Sequence, residues 1–416
     1  MRLRSALGVS ILLGAAACAS PQATAPEPSA SNAASTRPSA SLIPSPTAIA
    51  SATPSASAAI PDVWTNTLTF GVGDAWHVAG DVVHGKAGFL ALGQRIEPAH
   101  GGPSITARYA WRSPDGLAWE QVPVPEVAVA GFIQELIATP DGDYVLFFDR
   151  PHSDPNTGSW DTVALRSSDG STWSEVETGL PSALSIDSIE RGAMGYLLVG
   201  DQTALGNPTL WLSSDGIGWA KVHEFTQNEH WVQLHGGGAG DEGFVVFGRR
   251  IEHDSSSYRR FAFASGDGYQ WVETPAPLGA DDQDFVFDVV VDGLGPDWVA
   301  ASAERDSRAP TWFSADGIGW EPAGEIPAEH PENWDPVLDE ADGELYFSAT
   351  GEASHYPGAP GGAWSSTDGR TWQPIELGAD AHLGAVVDGP DAIVLAGTIV
   401  LDDRASAIGI WVRAAD

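Results

Sequence analysis

The stretch Ser113-Pro114-Asp115-Gly116-Leu117-Ala118-Trp119 is the first of six copies of one motif, Ser-x-Asp-Gly-x-x-Trp. The other copies span residues 167–173, 213–219, 265–271, 314–320 and 366–372. Their aspartates are Asp115, Asp169, Asp215, Asp267, Asp316 and Asp368. A period of roughly 50 residues is typical of arrays in which each repeat is one small supersecondary unit. The motif therefore predicts such an array, and a motif copied six times is more often scaffold than active site.

Each period contains four short segments rich in β-branched and aromatic residues, separated by turn-forming residues. In the first period they are residues 77–83, 88–93, 109–113 and 119–122. The apolar second segment recurs at residues 144–148, 195–200, 243–248, 298–302, 345–348 and 393–397, which gives seven second strands. A continuous apolar strand is covered on both faces, as it is when four-stranded sheets stack radially around an axis.

The two ends of the chain decide the number of repeats. After the sixth motif, residues 382–388, 393–398 and 408–413 provide three strands of a seventh unit. Residues 62–67 precede the first unit, and their Trp64 can take the place that Trp119 takes there. A strand from the N-terminal side would then close the last unit. We predict an all-β fold, a seven-bladed β-propeller of four-stranded antiparallel blades over residues 61–416, whose last blade is closed by an N-terminal strand.

The motif itself has a purely structural explanation. Ser and Asp side chains accept hydrogen bonds from nearby backbone N–H groups, and Gly supplies the positive φ of a tight turn. The Trp can bury a large apolar surface between neighbouring blades. We therefore expect the six aspartates to be structural.

The motif resembles the Asp box of bacterial neuraminidase repeats, which occurs in sialidases and in many non-enzymatic propellers. The resemblance covers residues 60–416, although that family usually has a residue between the Asp and the Gly that are adjacent here. It implies a propeller whose motifs lie at the periphery, away from the face that is catalytic in the family's enzymes.

The N-terminal region carries targeting signals. Arg2 and Arg4 precede an apolar stretch, which predicts a signal peptide over residues 1–17. Ala15-Ala16-Ala17-Cys18 resembles a bacterial lipobox, with Ala15 where Leu is usual and Cys18 as the lipid anchor. The alternative is ordinary secretion. Residues 18–60 are rich in Ser, Pro, Ala and Thr and cannot bury a core, so we expect a disordered stalk that anchors the propeller to the extracellular face of the cell membrane.

The charge of the chain argues against two classes of partner, and its cysteine content rules out one kind of cross-link. The formal net charge is −36, from 56 acidic and 20 basic residues. Such a surface repels nucleic acid and anionic lipids, so we expect no nucleic acid partner and membrane contact only through the lipid anchor. The single cysteine excludes an internal disulfide. We expect a monomer without a cofactor.

A sialidase-like reaction would need converging arginines, a Tyr nucleophile and an acidic proton donor. Candidates near the ends of second strands are Arg95, Arg150, Arg249, Arg250, Arg305, Glu97, Glu252, Tyr258 and Glu304. The family's Arg-Ile-Pro signature is absent, and a strand-end arginine is more often a solvated edge charge. No catalytic residue is assigned, and a non-enzymatic role is favoured over a sialidase-like glycosidase.

Metal binding has weak support in the sequence. His100, His152, His253 and His355 lie in loops between second and third strands without metal-ligand spacing. The acidic stretch Asp281-Asp282-Gln283-Asp284 could hold calcium, but no Gly-punctuated loop surrounds it. We expect no metal.

Binding residues are expected in the loops that enter the inner strands. These loops carry Trp76, His77, His230, Trp231, Asp284, Phe285, Asn333, Trp334 and His382. Aromatic rings beside polar groups can stack on sugars or contact a peptide, or they can instead plug the channel. We expect the histidines to face solvent. The leading hypothesis is a non-catalytic propeller that binds an extracellular glycan, peptide or protein. The alternatives are an exported sialidase-like glycoside hydrolase and a structural or assembly factor of the cell envelope.

Overall fold

The computed structural model consists of short β-strands joined by hairpins. It describes residues 60–71, 76–99, 102–129, 131–151, 160–202, 206–226, 230–252, 258–276, 289–302, 309–327, 334–351, 362–378, 381–402 and 405–415. These residues form 28 strands and one short helix. In this part of the chain, no helix has the length and apolarity needed to cross a membrane.

The strands form seven antiparallel sheets of four strands each, which confirms the predicted seven-bladed β-propeller. The first strand, β1, spans Thr65–Phe70. Blade 1 consists of β2 (Trp76–Gly85), β3 (Gly88–Ala99), β4 (Gly102–Ser113) and β5 (Glu120–Val122), and the helix α1 (Glu126–Val129) follows it. Blade 2 consists of β6 (Phe132–Ala138), β7 (Tyr144–Pro151), β8 (Trp160–Ser167) and β9 (Ser174–Val176). Blade 3 consists of β10 (Leu184–Gly192), β11 (Gly195–Gln202), β12 (Pro208–Ser213) and β13 (Ala220–Glu224).

The remaining four blades repeat this order from the channel outward. Blade 4 consists of β14 (His230–Gly240), β15 (Gly243–Glu252), β16 (Tyr258–Ser265) and β17 (Val272–Pro275). Blade 5 consists of β18 (Val289–Leu294), β19 (Asp297–Ser302), β20 (Ala309–Ser314) and β21 (Glu321–Ile326). Blade 6 consists of β22 (Trp334–Ala341), β23 (Glu344–Gly351), β24 (Gly362–Ser366) and β25 (Gln373–Pro374). Blade 7 consists of β26 (Ala381–Asp388), β27 (Ala392–Asp402) and β28 (Ala405–Ala414), with β1 as its fourth strand.

The closure of blade 7 has the predicted form. Strand β1 pairs antiparallel with β28, from Thr65 opposite Val412 to Phe70 opposite Ile408. The strand begins three residues later than the expected residue 62, although the Ala414 N–H still donates to the Pro61 carbonyl at 2.8 Å. The edge of β28 is thereby paired within the chain.

An apolar cluster fills each gap between neighbouring blades, and each cluster contains one tryptophan from the predicted set. The tryptophans are Trp119, Trp173, Trp219, Trp271, Trp320, Trp372 and Trp64. Trp64 packs edge-on against Tyr346 at 6.0 Å, as Trp219 does against Phe147 at 6.2 Å. Trp64 thus fills the gap between blades 6 and 7, where no motif tryptophan is present.

The second motif copy shows how the turn is held. The Gly170 N–H donates to Ser167 Oγ at 2.9 Å, and the N–H groups of Ser171 and Thr172 donate to Asp169 Oδ1 at 2.8 and 2.7 Å. The bonds from Thr172 and Ser171 hold the pKa of Asp169 well below its usual range. The six motif glycines have φ between 65° and 78°, which only Gly adopts without strain. The Ser, Asp and Gly of the motif are therefore used within the turn, and its Trp is used in the gap between blades.

Candidate functional site

The propeller has two open faces with different chemistry. The loop face is the end at which the inner strands begin and the second strands run into the third. The motif face is the opposite end, which carries the hairpins between first and second strands and the turns of the Ser-x-Asp-Gly-x-x-Trp motif. The sequence places the candidate binding residues on the loop face.

His77 is buried in the junction between blades 7 and 1, with 7 % of its surface exposed. Its backbone N–H donates to Ser406 Oγ at 3.0 Å, and that hydroxyl donates back to the His77 carbonyl at 2.9 Å. Its ring lies 6.0 Å from Phe70 and 6.0 Å from Tyr109. His382 is buried to the same extent. The expectation that the histidines face solvent is therefore wrong at these two positions, because the neighbouring blade covers the start of the inner strand.

The other predicted binding residues fall into three groups. Trp231 on β14 is 52 % exposed, and Trp76 at the start of β2 is half-buried. His230 and Trp334 are the first residues of β14 and β22, and only this strand position is described for them. Outside the described residues lie Asp284, Phe285, Asn333, Cys18, Arg305, Glu304, the acidic stretch 281–284 and the loop histidines His100, His152, His253 and His355.

Four of the strand-end arginines have partners within their own blades. Arg95 pairs with Glu97 at 2.6 Å, and Arg150 pairs with Glu175 at 3.2 Å. In blade 4, Arg249 donates to Gln233 Oε1 at 2.6 Å, and Arg250 pairs with Glu273 at 2.5 Å. Arginines that bind one substrate carboxylate in a propeller would have to converge from different blades. The pairs seen here instead fit edge charges of single blades.

A pair of exposed aromatic rings on blade 2 was not anticipated from the sequence. Phe132 is 50 % exposed and Trp160 is 36 % exposed. Their ring centroids lie 5.1 Å apart with an interplanar angle of 65°. The rings share one side of the sheet, because Phe132 pairs with Asp149, Asp149 pairs with Thr162, and Trp160 lies two residues before Thr162. We call Phe132 and Trp160 the aromatic corner.

Polar groups beside the aromatic corner connect blades 2 and 3. The Gln134 side-chain amide donates to the Asp149 carboxylate and to the Leu184 carbonyl, the latter at 3.2 Å. The Ile186 N–H donates to Gln134 Oε1 at 2.5 Å. Burial raises the pKa of Asp149 to about 6, against the lowering effect of the Gln134 amide. A carboxyl group that titrates in the physiological range therefore lies next to two exposed rings.

Asp201 is a second carboxyl group at the loop face, in the neighbouring blade 3. Burial raises its pKa to about 6, and its Oδ1 is buried without a hydrogen-bond partner among the described residues. A carboxyl whose pKa is higher in the folded than in the unfolded chain destabilises the fold as pH rises from about 4 through 6. The rise in the pKa of Asp201 from about 4 to about 6 corresponds to about 3 kcal/mol before solvent screening, so Asp201→Asn should raise the free energy of unfolding at pH 7.5 by about 1–3 kcal/mol and leave it nearly unchanged at pH 4.

Urea denaturation at the two pH values measures this effect. Asp141→Asn, at an exposed hairpin position of blade 2, is the control and should change little at either pH. A gain of equal size at both pH values for Asp201→Asn would show that ionisation is not the cause.

The motif face contains a cavity of about 770 Å³ at the mouth of the central channel. The final residues of the inner strands of all seven blades line it. Its acidic side chains are Asp81, Glu135, Glu190, Asp241, Asp292, Asp339, Glu340 and Asp388. Since the basic groups in the lining are only His84 and Arg191, the mouth is strongly acidic.

Several of these carboxylates bind the backbone of the next blade. Asp81 Oδ2 accepts the Leu136 N–H at 3.1 Å, and Asp339 Oδ2 accepts the Val386 N–H at 3.1 Å. Asp292 Oδ2 accepts the Glu340 N–H at 2.8 Å. Burial, reinforced by Glu190 and Asp339, raises the pKa of Asp292 well above its usual value. We call these bonds the interblade belt.

Metal binding at the channel mouth has no structural support. Within the residues that the structure describes, no group of three or more His, Cys, Asp or Glu side chains is arranged to hold a metal ion. The acidic residues of the interblade belt satisfy backbone N–H groups that would otherwise be buried without a partner. The described contacts therefore assign the belt to ring assembly.

Comparison with known proteins gives only distant similarities. No family model matches the chain, and no curated protein matches it either. The β-propeller domain of the Trilobed protease from Pyrococcus furiosus is 12 % identical, with 82 % of this chain and 95 % of that chain covered and a TM-score of 0.45. A protein of unknown function from Dyadobacter fermentans is 16 % identical, with 86 % and 97 % covered and a TM-score of 0.44. Trypanosoma rangeli sialidase in complex with the inhibitor DANA is 14 % identical, with 71 % and 56 % covered and a TM-score of 0.43. At these levels we transfer neither an activity nor a site residue to this chain.

Proposed function

We propose that this protein is a non-catalytic propeller that binds an extracellular ligand, a glycan in the first place, through its loop face. The observation that carries the proposal is the set of solvent-exposed aromatic rings on that face: Phe132, Trp160 and Trp231 are 50 %, 36 % and 52 % exposed. Large exposed aromatic rings on a rigid scaffold are typical of recognition surfaces. The acidic cavity on the opposite face is less suited to this role, because three of its eight acidic side chains are used in the interblade belt and none of its aromatic residues is among the exposed ones.

A sialidase-like glycosidase is the second candidate function. Asp149 favours it, because a carboxyl group with a pKa of about 6 can act as a general acid near neutral pH. The partners of Arg95, Arg150 and Arg250 speak against it, since each of these three ion pairs joins groups within one blade. Release of reducing sugar from a glycan panel by the purified protein, abolished by Asp149→Asn, would favour the enzyme.

We further propose that the protein is an exported lipoprotein of the Asp-box repeat type. The lipobox-like sequence that ends at Cys18 supports a lipid anchor. The Ser- and Pro-rich residues 18–60 support a stalk that holds the propeller away from the membrane. Cell fractionation of Cys18→Ser tests the anchor. The variant should appear in the medium, whereas retention in the membrane would contradict lipidation.

Two aromatic residues of blade 4 provide a matched test of the binding face. Trp231 lies on the loop face and is 52 % exposed, and Tyr269 lies in the motif turn at the other face and is 69 % exposed. Trp231→Ala should weaken binding to the best ligand of a panel of extracellular glycans and cell-wall preparations at least tenfold. Tyr269→Ala should leave it unchanged. The opposite pattern would move the binding site to the motif face.

A further inference from the structure

We infer that the aromatic corner of blade 2, together with Asp149, is the seat for one sugar ring of an uncharged glycan. This inference rests on the proposed binding function and adds a position and a ligand class to it. Trp231, in blade 4, belongs to a different part of the loop face.

The geometry of the corner suits a pyranose ring. Phe132 and Trp160 meet at 65° with centroids 5.1 Å apart, so each ring keeps a different orientation toward solvent. The C–H faces of a sugar are apolar and pack on aromatic rings, while its hydroxyl groups point outward and need hydrogen-bond partners. Asp149 is the cross-strand neighbour of Phe132 and supplies carboxylate oxygens that accept from hydroxyl groups.

The backbone on both sides of Phe132 is held in place. The Arg108 guanidinium of blade 1 donates to the Gly131 carbonyl, immediately before Phe132. A Cβ at Gly131 would lie 1.8 Å from the Asp149 carbonyl oxygen, so only glycine allows this close approach of β6 to β7. Two residues after Phe132, Gln134 bonds to blade 3. Because these contacts hold the corner in place before a ligand binds, binding costs less conformational entropy.

The charge of the protein selects against anionic glycans. A net charge of −36 repels phosphate, uronate and sialate groups, and the cross-strand neighbour of Phe132 is the carboxyl-bearing residue Asp149. A protein partner would need about 800 Å² of its own surface buried, far more than two side chains provide. An uncharged sugar matches both the size and the polarity of the corner.

Binding of uncharged polysaccharides and oligosaccharides to the full-length chain, measured by isothermal titration calorimetry, tests the inference. The main variant is Phe132→Leu with Trp160→Leu, which keeps apolar side chains but removes both flat rings. We expect at least a tenfold loss of affinity for the glycan that the unmodified protein binds best. Asp149→Asn should lose at least threefold, because the amide replaces one acceptor oxygen by a donor. Tyr269→Leu, on the motif face, is the control and should bind normally.

The outcomes separate this inference from the proposed function. If the double leucine variant binds normally while Trp231→Ala has lost binding, the corner is not the seat, and the loop-face function stands. If the unmodified protein binds only anionic glycans or a protein, or binds none of the uncharged glycans, the inference is overturned. Should the double variant lose its thermal unfolding transition, Trp160→Leu alone takes its place and must weaken binding at least threefold.

Discussion

Deletion of residues 60–71 should abolish cooperative folding of the propeller. This segment contains β1, the fourth strand of blade 7, and it supplies side chains to two clusters. Leu68 and Phe70 pack between blades 7 and 1, and Trp64 packs between blades 6 and 7. Loss of a single buried tryptophan costs about 3–5 kcal/mol, so loss of the whole segment should exceed about 5 kcal/mol, comparable to the entire stability of many domains.

Thermal unfolding followed by circular dichroism, together with size-exclusion chromatography, measures this effect. The matched control deletes residues 19–59, which lie ahead of the closing segment, and should melt like the intact chain. The closing-strand deletion should lack a cooperative transition and should associate through the unpaired edge of β28. A melting temperature within a few degrees of the control would contradict closure of the ring by β1.

Trp219→Ala should lower the free energy of unfolding by about 4 kcal/mol, because truncation of a large buried side chain removes its burial and leaves a cavity. Trp219 is 6 % exposed and packs against Phe147 of the preceding blade at 6.2 Å. Urea denaturation measures the loss. Trp231→Ala is the matched control, because the same substitution at a side chain that is 52 % exposed should cost less than about 1 kcal/mol. Similar losses for the two variants would contradict the assignment of the motif tryptophans to the gaps between blades.

The architecture could be predicted because its determinants are local and repeated. The Ser, Asp and Gly of each motif bind one another within a few residues, so the turn is encoded wherever the motif occurs. The apolar second strands mark the blades independently of the motif. Trp64 was identifiable because it stands alone ahead of the first unit, where the last blade lacks a strand. Each of these signals can be read without knowledge of any distant contact.

The candidate site was less predictable because its contacts are not repeated. Phe132 and Trp160 are separated by 28 positions and meet only through the register of β6, β7 and β8. Neither residue belongs to a repeated pattern. The burial of His77 could not be predicted for the same reason, because Ser406, which bonds to its backbone, is 329 residues away along the chain.

The interblade belt could have been found from the sequence. Asp81, Glu135, Asp292 and Asp339 are acidic residues within inner strands that are otherwise mainly apolar. An acidic residue that recurs in strands lining a channel indicates that its carboxylate accepts a hydrogen bond from a neighbouring strand. Three of these side chains accept a backbone N–H from the next blade. The acidic cavity on the motif face is therefore bordered by groups that hold the ring together.

The central claim is that the ligand binds on the loop face. Amide hydrogen exchange of the full-length chain, with and without its best-bound glycan, tests this most directly. Exchange should slow at the loop end of a blade, in residues 131–134, 149–151 and 160–162 of blade 2 or in residues 230–233 and 249–252 of blade 4, and remain unchanged at the channel mouth. Slower exchange confined to residues 189–193, 239–241, 339–340 and 343, which line the cavity on the motif face, would contradict the claim.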